Sequence, residues 1–167
     1  MPLTSVVIDS REPPSLQALT FEGVPVVISL LDAGDIMAAT DTQDIILVER
    51  KSANDFLNTL RDDRLFPQLQ KMREMTPWAY LVICGSMHGG PNGQCWAGGR
   101  ETGFTWWSVQ GTLVTAQEMG IHIVHIPSDM DFEATVIKLA NRSRIAIRIH
   151  PARESGFVGD AEALLCA

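Results

Sequence analysis

From Gly34 to Asp55 the chain reads Gly-Asp-Ile-Met-Ala-Ala-Thr-Asp-Thr-Gln-Asp-Ile-Ile-Leu-Val-Glu-Arg-Lys-Ser-Ala-Asn-Asp. Two extended runs flank the polar turn Asp41-Thr42-Gln43, and the hydrophobic period then turns helical, with Phe56, Leu57 and Leu60 on one stripe. A hairpin turning near Thr42 sets Asp35 directly across from Glu49, with Cβ atoms ~5 Å apart on one face. Lys51, two residues on, projects from that face too. Two carboxylates this close repel unless a cation lies between them, which raises a pKa or recruits a metal. Hard oxygen donors with room for water and phosphate suit Mg²⁺ or Mn²⁺, an ion able to activate water and neutralise charge on a phosphodiester. A one-residue slip in register would destroy the arrangement. On these residues alone, an edge-strand Glu49–Lys51 ion pair with Asp35 in a turn is the competing reading. Against it, Ile45, Ile46, Leu47 and Val48 are apolar on both faces, and a strand buried on both sides has little reason to end in Glu-Arg-Lys.

The rest of the chain sets bounds. Its 167 residues suit one domain, and 46% hydrophobic residues rule out disorder. No apolar run approaches the ~20 residues of a membrane helix, and the N-terminus lacks a basic region leading into an apolar stretch, so an intracellular protein is expected, cytoplasmic or nucleoid-associated in a prokaryote or phage. Thirteen Lys and Arg against twenty Asp and Glu leave a net charge of −7, a mild argument against nonspecific polyanion binding. Cys84, Cys95 and Cys166 share no pairing or zinc spacing and read as reduced structural thiols.

Strand signals occur at Val6–Asp9, Asp44–Glu49, Trp78–Cys84 and Ile121–Ile126. Helical patterns follow Ser52, Asp63 (read as a cap), Thr105 and Asp129 or Asp131. Residues 85–104 hold seven glycines and few aliphatics, which reads as a long loop, DNA-facing or disordered. Strands alternating with helices around one early hairpin imply an α/β domain with a mixed central sheet flanked by helices.

Gly34-Asp35 with Glu49-Arg50-Lys51-x3-Asp55 resembles the signature of the XPF-type structure-specific endonucleases, which include the archaeal Hef nuclease domain. Asp9-x-Arg11-Glu12 is similar to the family's D-x-R-E after its first strand, and Asp63-Arg64-Leu65-Phe66-x-Gln68 to its second helix of a pair. The resemblance covers roughly residues 4 to 145.

It implies a PD-(D/E)xK restriction-endonuclease-like core that cuts DNA at flaps, forks or nicked junctions with Mg²⁺ or Mn²⁺. Asp35 and Glu49 would be metal ligands, Lys51 the catalytic lysine, and Arg50 a phosphate contact or brace. Asp9 and Glu12 would add carboxylates near the metal, Arg11 a phosphate contact, and Asp55 would hold Arg50 or the helix start. Arg61, Arg64, Arg142 and Arg144 are candidate DNA contacts on two basic stretches. The resemblance also implies a homodimer, with Phe132, Val136 and Leu139 and the Trp-rich helix as its expected interface. Residues 1–148 would be the nuclease domain, and 149–167 a tail resembling the start of a missing helix-hairpin-helix module. The competing function is a catalytically silent DNA-binding scaffold subunit. The intact Asp35, Glu49, Arg50 and Lys51 favour the enzyme.

Overall fold

The computed structural model describes residues 3–142. Its frame is a six-stranded sheet in the order β2-β1-β3-β4-β5-β9, built from β1 (Leu3–Asp9), β2 (Val26–Ser29), β3 (Ile36–Thr40), β4 (Ile45–Ser52), β5 (Trp78–Cys84) and β9 (His122–Ile126). β3 pairs antiparallel with β1 and β4, while β1–β2, β4–β5 and β5–β9 pair in parallel. Every strand except β3 therefore runs the same way, and the mixed sheet expected from the sequence is present.

Alternation along the strands divides the core. Ile46 and Val48 of β4 and Val82 and Cys84 of β5 pack with Phe132, Val136, Leu139 and Ala140 of α5 (Phe132–Ala140) and with Leu16 of α1 (Pro14–Gln17). Leu47, Leu81 and Ile83 face the other way, onto α2 (Ala53–Asp62), α3 (Leu65–Met75) and α4 (Trp106–Glu118). Both faces of the central strands are covered, which is why they read as continuous apolar runs.

Three expectations are corrected. Residues 85–104 are not a loop: they form a three-stranded antiparallel meander of β6 (Met87–Gly89), β7 (Gln94–Ala97) and β8 (Arg100–Thr105). Each strand is too short to show a period among seven glycines. Asp63 does not cap a second helix. It ends α2 in the left-handed region (φ 52°), and Arg64 precedes α3 without a side-chain cap. The α5 stripe is not an interface, because Phe132, Val136 and Leu139 are at most 8% exposed within the chain's own core. Thr105 does cap α4, its hydroxyl accepting from the Ser108 amide. No helix among the described residues is long and apolar enough to cross a membrane.

Candidate active site

Three carboxylates stand side by side where the hairpin meets the first strand. The ladder pairs Ile8 with Ile36 and Ile36 with Val48, so Asp9, Asp35 and Glu49 are the next residues on three adjacent strand ends. All three lie on the sheet face that carries α2, α3 and α4, by the same alternation that sends Ile8, Ile36 and Val48 to the other face. Backbone bonds pin this edge: Asp9 N–H donates to Asp35 O (2.9 Å) and Asp35 N–H to Val48 O (2.8 Å). The turn into β3 needs Gly34, whose φ is +76° and where a Cβ would meet the Val48 carbonyl at 3.2 Å.

The carboxylates are held differently. Asp9, 2% exposed, is engaged on both oxygens by the Arg11 guanidinium (2.8 and 2.6 Å), and the Arg11 and Leu31 amides donate to it as well. Those bonds, Arg11's first, hold its carboxyl well below the usual range. Asp35 Oδ2 accepts from the Arg50 amide (2.7 Å), and the Asp35 side chain is also hydrogen-bonded with Glu12. Burial, and then the neighbouring charge of Glu49, push its carboxyl up to about 8. Glu49 is 5% exposed and its Oε1 lies 3.0 Å from Lys51 Nζ. Glu12, on the turn after β1, is also raised, by burial first and by Glu49 second.

Asp9, Glu12, Asp35 and Glu49 thus line one cleft of about 390 Å³, with Asp32, Gln68 and Lys71 on its remaining walls. Among the described residues, no three His, Cys, Asp or Glu side chains close on a single point as a metal cage. Mg²⁺ does not require one, since it keeps several waters and takes one or two carboxylates. Asp35 holds its proton to about 8 first because it is buried and then because Glu49 and Glu12 face it, so the donor set is short of positive charge. These residues fit a hard divalent cation.

The remaining candidates are dispersed. Arg50 alternates to the opposite face, where it pairs with Asp129 (Nη2–Oδ2 2.7 Å, Nε–Oδ1 3.2 Å) and lies over the Phe132 ring. It contributes its backbone amide to the cleft side. Beside it the Cys84 thiol is pushed up to about 12, by burial and by Asp129. Asp55 is tied to Ser52, whose hydroxyl caps α2 and donates to Asp55 Oδ2 (2.7 Å), so it holds the helix start. Arg61 lies over Phe104 of the meander, and Arg64 pairs with Asp62. Arg142 sits beside Leu139 and His122 at the β9 edge. Arg144 and residues 149–167 lie outside the described residues.

Sequence reasoning offered Lys71 as a phosphate contact on the helix pair and quoted Gln68 in the family-like segment, but it did not place either of them, or Asp32, on the walls of the carboxylate cleft. Lys71 follows Gln68 by three residues on one helical face, a spacing that was legible, but only the packing of α3 turns that face inward.

An α/β domain with one antiparallel strand in an otherwise parallel sheet, and an acid-lined cleft with a lysine at the strand ends, is the class this architecture defines. The chain belongs to the ERCC4 domain family, whose pattern matches residues 8–139. Over 66 residues it is 32% identical to the 3′-flap repair endonuclease Xpf of Saccharolobus solfataricus, a match spanning 40% of this chain and 27% of that protein. Among solved structures it resembles XPF from Aeropyrum pernix (TM-score 0.61, 24% identity, 95% of this chain and 73% of that one). It also resembles XPF from Aeropyrum pernix in complex with DNA (TM-score 0.62, 25% identity, 89% and 66%). The chain thus spans about a quarter of the curated relative's length.

Proposed function

We propose that the chain is a divalent-metal-dependent endonuclease that hydrolyses phosphodiester bonds near branches in DNA. The observation that carries this reading is the facing of Asp35 and Glu49 on one side of the hairpin, with Lys51 Nζ 3.0 Å from Glu49. Family membership and the DNA-bound relative support DNA as the substrate class. Asp35 and Glu49, with Glu12 beside them, would hold Mg²⁺ or Mn²⁺, which supplies charge neutralisation at a scissile phosphate.

The chain's own residues do the rest. Lys51 orients a proton-bearing nucleophile or donates to a non-bridging phosphate oxygen, and its pairing with Glu49 keeps it in place. Arg11 spends Nε and Nη2 on Asp9 and Leu31, and offers Nη1 to a phosphate. Lys71 and Gln68 face the same cleft from α3 and contact the backbone of the entering strand.

The test is cleavage of labelled single-strand, duplex, 3′-flap, 5′-flap and fork DNA in Mg²⁺ and Mn²⁺. Asp35→Asn removes a ligand charge and is expected to slow cutting by orders of magnitude, several kcal/mol of transition-state stabilisation. Cutting that survives in the variant would sink the metal assignment. Binding by a folded protein that cuts nothing would favour the silent scaffold.

A further inference from the structure

A second surface opens from the same edge of the sheet, and the chemistry of the cleft does not account for it. The β6–β8 meander begins just past Cys84, the register partner of Ser52, so it grows beside the strand end that carries Glu49 and Lys51. It is a built surface. A Cβ on Gly89 would stand 2.7 Å from the Trp106 ring, and one on Gly90 2.5 Å from Trp96 Nε1, so each glycine is the seat of an indole. Met87, Cys95 and Ala97 anchor the meander in the core.

On this base the His88 ring stacks on Trp96 (centroids 6.4 Å apart, planes 9° apart), and the Arg61 guanidinium lies 4.8 Å over Phe104. Trp107, next to the seated Trp106, is 85% exposed. From Gly85 to Gln117 the only charged residues are Arg100 and Glu101, in a chain whose net charge is −7. A near-neutral aromatic ground beside an acid-lined cleft suits a strand whose bases are free to stack, since every base offers a π-face. Within a duplex the base faces are already covered by their stacked neighbours and are open only at its two ends.

We propose that the meander together with the first turn of α4, which carries Trp107, is a stacking platform for the unpaired strand of a branched DNA substrate. Trp107 takes a base on its open face, and Arg61 supplies the nearby positive charge. This inference rests on the reading of the cleft given above.

The experiment measures binding of the full chain, in EDTA, to a labelled oligothymidylate and a blunt duplex of equal length. Trp107→Ala is expected to weaken the oligothymidylate about 10-fold, the scale of one lost base stack. The factor should be the same at low and moderate salt, because stacking releases no counterions. Trp107→Phe should restore most of the affinity, and the duplex should bind all three proteins alike. Unchanged oligothymidylate affinity in Trp107→Ala would overturn the proposal, as would an equal loss for duplex. So would a fall in mass by light scattering, which would make the surface an interface between copies. Wild-type protein that cuts nothing but shows the Trp107 effect would refute the cleft reading alone; cutting without that effect would refute the platform alone.

Discussion

Asp35 and Asp9 are the same residue type on adjacent strands, and their surroundings drive them apart. Asp9 meets a guanidinium and two amides, so its charge is neutralised within the chain. Asp35 meets one amide and two other carboxyls, so a proton or a cation must come from outside. That difference has a thermodynamic consequence in metal-free protein. The folded carboxyl keeps its proton to about 8, against an ordinary value of 3.8, so the native state binds more protons in between. Its contribution to stability is full below about pH 4 and is lost as pH rises through about 8. Thermal melts in EDTA should therefore fall across that window, and Asp35→Asn or added Mg²⁺ should flatten the trend. A flat profile in the unmodified, metal-free chain would show that Asp35 is not starved of charge.

At the level of elements, the hairpin is the device that assembles the cleft. β3 alone runs against its neighbours, which brings the start of one strand beside the ends of two others and lets three carboxyls share an edge. Gly34 makes that turn. Gly34→Ala introduces a left-handed alanine and a 3.2 Å contact with the Val48 carbonyl. It should cost about 1–2 kcal/mol in denaturant unfolding, and should reduce cleavage more than that loss explains, because Asp35 hangs from the same peptide. Arg50 shows how alternation assigns roles within an element: Glu49 and Lys51 point into the cleft side, and the residue between them braces the entry to α5 through Asp129. Alternation in the E-R-K triplet already tells from sequence that Glu49 and Lys51 face together, but only the fold brings Asp129 to Arg50 on the other face.

For the whole molecule, charge sets the terms of DNA binding. With a net charge of −7, the proposed affinity for DNA must rest on a few local cations: Arg11 and Lys71 line the cleft, Lys51 pairs with Glu49 beside it, and Arg61 and Arg100 lie at the meander. Three or four phosphate contacts imply a slope of log affinity against log salt near −3, about 0.9 per contact. A slope steeper than about −6 would mean that a larger basic face takes part. A homodimer is also proposed, through a surface other than the α5 stripe. Val27, Ile28 and Leu30, on and just beyond the edge strand β2, are 42–66% exposed and offer one. A dimer mass by light scattering at micromolar concentration, lost in Ile28→Lys, is the expected result; a monomer would remove the proposal.

Local chemistry was enough to reveal the hairpin, the facing of Asp35 and Glu49, the helix start at Ser52, the cap at Thr105 and the alternation of strands with helices. Each depends on residues close in sequence, where period and turn type act directly. The seating of the meander on the core, the pairing of Arg50 with Asp129 and the inward turn of Gln68 and Lys71 were settled by packing. Asp129 lies 79 residues from Arg50, and no period or spacing connects groups that meet only when two layers close on the sheet. The α5 stripe shows the same limit from the other side: an apolar helical face is legible in sequence, but whether it covers its own core or a partner depends on what the fold has already placed against it.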